Sequence, residues 1–246
     1  MQALAVRALL HQMAFVLHRA SQSLHGEGLR RMSKPGVKQV AGYESVRMFE
    51  SDFLEKFSRV HPAVPALLYL PVSLASAVIA VRVQGTTFGR LAAELVFGYV
   101  LWTVFEYWAH RLLFHMPVVG PKTKRIQFLI HGVHHDYPRD ESRLVFPPGA
   151  SLVLCVLTYA VFRAVFGATT MYGPFAGFVI GYVLYDELHW YVHARVPTSR
   201  FGRWLRREHF LHHFKEPGTR FGVSCPWLDY VFATRGLHPG REAPRP

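Results

Sequence analysis

The chain has 246 residues, half of them hydrophobic and only 18% charged, with a formal net charge of +12. That length suits one domain, and the apolar balance excludes a disordered chain and fits poorly with an ordinary soluble protein. The positive charge could suit nucleic acid, but no nucleic-acid-binding motif accompanies it, so attraction to anionic lipid headgroups is the better reading.

In chain order, residues 1–20 mix apolar residues with Arg7, His11, His18 and Arg19 and hold no acid. They read as a surface amphipathic helix, and the charges break the run too often for a signal peptide. A polar, glycine-containing linker follows to residue 42. The words Ser51-Asp-Phe-Leu-Glu-Lys-Phe predict a short helix with Ser51 as its N-cap. Four apolar stretches come next, at 64–81, 91–109, 150–166 and 171–185. Each approaches the ~20 residues that cross a bilayer core, and their all-round apolarity differs from the periodic pattern of soluble helices. The links at 82–90 and 167–170 are short, whereas 110–149 and 193–246 are long. The long segments hold 6 and 10 Lys+Arg, the short links only Arg82 and Arg90. By the positive-inside rule the long segments and both termini are cytoplasmic. The expected fold is therefore an all-α integral membrane protein, with four transmembrane helices in two hairpins and a cytosolic helical cap. Cys155 and Cys225 belong to no metal-binding pair and are not expected to bridge.

Ten of the fifteen histidines lie in four clusters: His110 and His115; His131, His134 and His135; His189 and His193; His209, His212 and His213. Residues three and four apart share a helix face, so His-x-x-His-His and His-x-x-x-His can each point one way. His110 and His115 are five apart and would splay on a straight α-helix; Pro117 predicts a helix end that frees His115. Ten imidazoles suit two metals with five nitrogens each, or slightly fewer, held in the cap at the membrane surface. Imidazole alone does not select among iron, copper, nickel and zinc. The absence of a thiolate set speaks against cysteine-rich structural zinc, and His-Glu-x-x-His is missing. A two-iron site beside a membrane could activate dioxygen against a lipid C–H bond. Metal-bound histidines usually donate their second N–H to a carboxylate or carbonyl, which nominates Glu106 and Asp186 as supporting carboxylates. Asp136 and Glu208 read as ordinary interfacial groups. A non-catalytic metal-binding membrane protein is the alternative from another class.

The histidine series, the word His131-Gly-Val-His-His-Asp-Tyr-Pro-Arg-Asp-Glu-Ser-Arg-Leu-Val-Phe-Pro-Pro148, the word Gly181-Tyr-Val-Leu-Tyr-Asp-Glu-Leu-His189 and Phe221-Gly-Val-Ser resemble the membrane fatty acid hydroxylase/sterol desaturase superfamily. Arg-Leu-Val-Phe-Pro-Pro points to its fatty acid 2-hydroxylase branch, and the lead-in from Arg47 to Arg59 is similar as well. The resemblance spans about residues 44–235, within a domain set at 43–235, with 1–42 and 236–246 as flanks. It implies oxygen-dependent hydroxylation at carbon 2 of a long-chain fatty acyl group, free or in ceramide or another sphingolipid. It also implies two iron ions with the ten histidines as their ligands; histidine sites accept zinc readily, so zinc can be found in a purified sample. A sterol or carotenoid hydroxylase or desaturase is the alternative within the same chemistry. Tyr137, Trp190 and Tyr191 are placed to line the substrate approach. Many eukaryotic members carry an N-terminal cytochrome b5 domain. The residues before the first span are too few for one, and His238-Pro-Gly is an isolated echo of its haem motif, so electrons are expected from a separate cytochrome b5-like or ferredoxin-type donor. With the preference for Arg over Lys, this favours a bacterial inner membrane over endoplasmic reticulum. Ala194 replaces a second histidine found in some members, and Pro226-Trp-Leu-Asp departs from the usual Leu-Trp-Asp order.

Overall fold

The computed structural model describes residues 45–236; the segment at 1–42, the His238-Pro-Gly word and nearly all of the C-terminal flank lie outside them. The described residues are helical, without strands: α1 Asp52–Phe57, α2 Ala63–Arg82, α3 Phe88–Ala109, α4 Pro121–Gln127, α5 Val133–Asp136, α6 Pro148–Phe166, α7 Tyr172–Ala194, α8 Arg200–Phe214 and α9 Trp227–Val231. Local signals set several boundaries. The Ser51 hydroxyl accepts the Leu54 N–H, as its N-cap position predicts. Thr87 and Ser199 cap α3 and α8 in the same way. α6 stops at Gly167, whose φ of 76° lies in the left-handed region that glycine tolerates.

Three helices are long and apolar enough to cross a membrane: α2, α3 with its extension to Phe114, and α6 with the turn before it. Leu67, Leu74, Leu152, Val156 and Val165 on α2 and α6 are all exposed. Such apolar faces suit lipid rather than water, and the chain is a multi-pass membrane protein. The 23-residue α7 is different. It packs against both α2 and α3, and most of its side chains are buried by protein. Its composition therefore answers to protein neighbours, with glycine, aromatics and Asp186 in place of a lipid-facing aliphatic surface.

α7 reaches α3 closely because it is notched. Gly173, Gly177 and Gly181 recur every fourth residue along one face. A Cβ at Gly177 would run into the Leu95 backbone, and one at Gly181 into the Trp102 side chain. From the α3 side, a Cβ at Gly98 would collide with the Pro174 carbonyl. Small residues that let backbones approach are how helices gain dispersion energy where lipid removes the hydrophobic drive. Around this seam Trp102 meets Phe178 edge-on at 5.1 Å between ring centroids, and Tyr69 meets Tyr182 likewise at 5.1 Å.

The two short links lie together, since the Gln84 side chain donates to the Ala168 carbonyl at 2.8 Å. The histidines gather at the opposite end of the long helices. There the lead-in folds back onto the segment 138–146. Asp140 accepts the Ser45 N–H at 2.9 Å, and the buried Arg143 reaches Glu55 at 2.5 Å and the Ser58 hydroxyl at 2.7 Å. Cys155 and Cys225 are free.

Candidate metal centre

All ten predicted histidines come together, in two groups of five. His110, His115, His131, His135 and His212 form one; His134, His189, His193, His209 and His213 form the other. Within each group one ring nitrogen per residue lies within 4.8 Å of all the others. The groups adjoin: His135 and His213, one from each, stack with ring centroids 4.1 Å apart. Each His-x-x-His-His motif does face inward, but it divides its donors. His131 and His135 serve the first group and His134 the second; His209 and His213 serve the second and His212 the first.

The five-residue spacing of His110 and His115 is resolved by the backbone. α3 ends near His115 as Pro117 predicts, but its last turn, His110–Phe114, is a π-helix, and the His115 N–H bonds to the His110 carbonyl at 3.1 Å. In i→i+5 geometry residues five apart come into line, so the two Nε2 atoms lie 3.2 Å apart instead of splaying. A second π-turn, Phe128–Gly132, carries His131 into α5.

The ring nitrogens have assigned roles. The Nδ1 of His110 donates to the Phe221 carbonyl at 2.6 Å, that of His212 to the Thr219 carbonyl at 2.6 Å and that of His189 to the Leu144 carbonyl at 2.8 Å. A carbonyl can only accept, so each Nδ1 holds the proton and each Nε2 presents a lone pair inward. Yet Nε2 atoms face one another at 3.1 Å for His110 and His131, 3.0 Å for His115 and His212, and 2.8 Å for His134 and His189. A partner could meet one such lone pair with an Nε2–H, but five nitrogens this close cannot all be paired in that way, whereas a cation among them would meet every lone pair at once. Ligands at right angles on a metal with bonds of about 2.1 Å lie about 3.0 Å apart, so the donor set fits a metal in each group. Burial, joined by the neighbouring imidazoles, holds His131, His134, His135, His209 and His213 well below the usual histidine range. Burial lowers His212 to about 4 against the opposing pull of the Thr219 carbonyl. Neutral imidazole is the ligating form.

Carboxylates stand behind the groups. Glu106, one turn before His110, accepts the Ser224 N–H at 2.7 Å and also the Ser224 hydroxyl. Asp186, three residues before His189, accepts the Phe146 N–H at 3.2 Å. Each carboxylate thus anchors the segment whose carbonyl orients the histidine on its own helix. Asp136 is exposed. Glu208 is more than an interfacial group: it is buried and pairs with Arg220 at 3.1 Å and Arg207 at 3.0 Å. Asp229 had no signal of its own in the sequence beyond its place in the Pro226-Trp-Leu-Asp word, yet it is buried and holds the backbone of Phe221 and Gly222.

A cavity reaches His131, His134 and His189, lined by Phe114, Leu129, Val145, Phe146 and Tyr185 together with the buried Arg143 and Asp186. Tyr137, Trp190 and Tyr191 are not among its lining residues. Trp190 lies beneath the Arg195 guanidinium, 4.9 Å from the ring centroid, and Tyr191 is 37% exposed.

The profile of the fatty acid hydroxylase family matches residues 95–234, a stretch that contains all ten histidines, and the chain belongs to that family. It is 36% identical to the dihydroceramide fatty acyl 2-hydroxylase FAH1 of Arabidopsis thaliana, over 84% of this chain and 85% of the plant protein. It is 35% identical to the ceramide very long chain fatty acid hydroxylase SCS7 of Saccharomyces cerevisiae and 34% identical to the fatty acid 2-hydroxylase of Rattus norvegicus, spanning 50% and 56% of their lengths. Those matches cover 78% and 77% of this chain. The solved structure of full-length scs7p, in which only the hydroxylase domain is visible, superposes with a TM-score of 0.71 at 33% identity, over 79% of this chain and 73% of that one.

Proposed function

We propose that this chain is a membrane di-iron monooxygenase that hydroxylates carbon 2 of a long-chain fatty acyl group, free or within ceramide. The observation that carries the reading is the pair of adjoining five-histidine groups, each with one ring nitrogen per residue within 4.8 Å of all the others. The names of the relatives above support the substrate class. The ten histidines are the proposed ligands, with Glu106 and Asp186 as their supporting carboxylates. When bound, the irons supply the reduction of dioxygen and the oxidation of the C–H bond. Hydroxylation places one oxygen atom on carbon, and two electrons and two protons carry the other away as water. A separate cytochrome b5-like or ferredoxin-type protein is the proposed source of the electrons.

The rest is the work of the chain itself. The carbonyls of Phe221, Thr219 and Leu144 hold three imidazoles in one tautomer and orientation. The apolar walls formed by Phe114, Leu129, Phe146 and Tyr185 exclude water and receive the acyl chain, so that position rather than intrinsic reactivity selects the carbon presented to His131, His134 and His189. Tyr137, Trp190 and Tyr191 are proposed to contact substrate outside this cavity. α7 is the proposed fourth span, paired with α6 as α2 is with α3, and the short helices form a cytoplasmic cap in a bacterial inner membrane. Residues 43–235 make up the catalytic domain in this reading, flanked by 1–42 and 236–246.

Lipid mass spectrometry of cells expressing the wild type beside His134→Ala tests the reading. It expects 2-hydroxy acyl chains in the wild type alone. If folded, iron-loaded wild type with an active electron donor and an acyl substrate makes none, the 2-hydroxylase assignment falls.

A further inference from the structure

We propose that Asp229 is a positioning residue for one histidine group only, that of His110, His115, His131, His135 and His212. The inference rests on reading both groups as metal sites. Asp229 touches no histidine; it acts through one peptide unit. Its Oδ2 accepts the Gly222 N–H at 3.0 Å, and its Oδ1 accepts the Phe221 N–H at 2.8 Å. The Gly222 N–H and the Phe221 C=O belong to the same planar peptide and point opposite ways. On the far side of that plane the Phe221 carbonyl takes the Nδ1–H of His110 at 2.6 Å. Holding the N–H therefore fixes the carbonyl and, through it, the direction of the His110 lone pair. Two residues upstream the Thr219 carbonyl does the same for His212. Both imidazoles serve the same group.

The carboxylate is itself held. Thr234 gives its single hydroxyl proton to Asp229 at 2.7 Å, so in its 2.7 Å contact with Tyr107 the phenol is the donor. Arg111 in turn donates to the Tyr107 oxygen at 3.2 Å. The result is a one-directional chain from Arg111 through Tyr107 and Thr234 into Asp229. The approach also needs glycine at 222, where a Cβ would run into the Cys225 carbonyl and lie 3.1 Å from Oδ2 of Asp229. The other histidine group is oriented from a different segment. His189 bonds to Leu144 and His193 to Pro138, and the carboxylates that accept backbone N–H groups within 138–146 are Asp140 and Asp186. Each histidine group thus has its own backbone strap, and Asp229 acts on one of them.

Asp229→Asn keeps the size and one acceptor oxygen but turns an amide NH2 toward a backbone N–H. The test is titration of metal-stripped protein in detergent with cobalt(II), following its visible absorption and its release to a chelator. Wild type is expected to take up two equivalents. In D229N one equivalent is expected to be unchanged and the other weakened by up to roughly 10-fold, the low end of the cost of losing a direct outer partner of a metal ligand, because the Phe221 carbonyl itself remains. Made together with His193→Ala, D229N should weaken the intact group that remains; made with His115→Ala, it should leave the remaining group untouched. Ser73→Ala removes a buried bond to the Ala176 carbonyl, thirteen residues before His189 on α7, and should keep both equivalents. If D229N does not accumulate as folded protein, Thr234→Val serves instead, with a smaller loss in the same group. Retention of both equivalents at wild-type affinity, or equal weakening of both, overturns the inference. Failure of wild type itself to bind cobalt would instead overturn the metal reading on which it rests.

Discussion

Metal loading of the stripped protein at pH 6.0 should release few protons. Six of the ten histidines lie on the segment 128–136 or on α8: His131, His134, His135, His209, His212 and His213. Histidines with the ordinary pKa of about 6.5 would each be roughly three-quarters protonated at pH 6.0, so binding metal through six of them would expel about four to five protons. His212 is instead lowered by burial to about 4, and the other five are also held well below the usual range. At a pKa of about 4, only ~1% of His212 carries a proton at pH 6.0. Calorimetric titration with zinc in two buffers of different ionisation enthalpy counts the protons directly. The expected result falls well short of the roughly four to five protons that ordinary histidines at these six positions would release. Release of four or more would refute the argument, because it would mean that the stripped site opens to water and the neutral cluster exists only around metal. The same shift bears on stability. The unfolded chain takes up protons near pH 6.5 while the folded site resists them, so stability is complete above that pH and falls as pH drops toward 4. For His212 alone the loss approaches about 3 kcal/mol. Asp229, which burial raises to about 6, opposes this between about pH 4 and 6.

Gly98→Ala should lower the thermal midpoint in detergent, at an overpacking cost of about 1–3 kcal/mol, because the added carbon meets the Pro174 carbonyl on α7. Gly89→Ala, on the same helix with nothing within 4 Å of its Cβ, should leave the midpoint unchanged or raise it, and equal effects would disprove the close seam. Arg143→Met should free the lead-in, because it leaves Asp140 and Glu55 without their shared buried cation. Arg59 remains 3.5 Å from each carboxylate, so the cost stays below the ~3–5 kcal/mol of a buried pair broken outright, and limited proteolysis should cut within residues 45–60 faster than in wild type. Stripping metal with a chelator should abolish 2-hydroxy product. Iron(II) with reductant should restore it and zinc should not; recovery with zinc would contradict an oxidative role.

The long helices and the ten histidines were legible because both are written in composition and spacing. Lipid demands apolar runs, and helix periodicity demands three- and four-residue steps between ligands. The partition of the histidines was not legible. Whether His134 turns toward His189 or His131 depends on the π-turn at Phe128–Gly132, a backbone choice with no residue signature. The His110–His115 pair shows the same limit, for straight-helix reasoning met the five-residue step with a helix end where the backbone widens its last turn. Gly173, Gly177 and Gly181 did carry a readable signal, a small residue at every fourth position. It marks α7 as the helix enclosed by the others and explains why that helix is not among the three apolar enough to be recognised as spans. Asp229 was hidden because its partners are backbone amides, which every residue possesses.

The division of donors has a consequence for assembly. The first histidine group takes His110, His115, His131 and His135 from the first half of the chain but His212 from α8; the second takes His189, His193, His209 and His213 from the second half but His134 from α5. The straps cross in the same sense. α3 has its His110 oriented by residues 219–224, and α7 has its His189 oriented by residues 138–146. Neither half can therefore complete a group or fix its tautomers alone. Metal affinity at either position then depends on both halves of the chain being folded and on α7 being seated against α3 through its glycine face. A defect in that seam, as in Gly98→Ala, should consequently weaken both metals together. A defect at Asp229 should weaken one. That contrast separates loss of the common scaffold from loss of a single strap, and cobalt stoichiometry measures both.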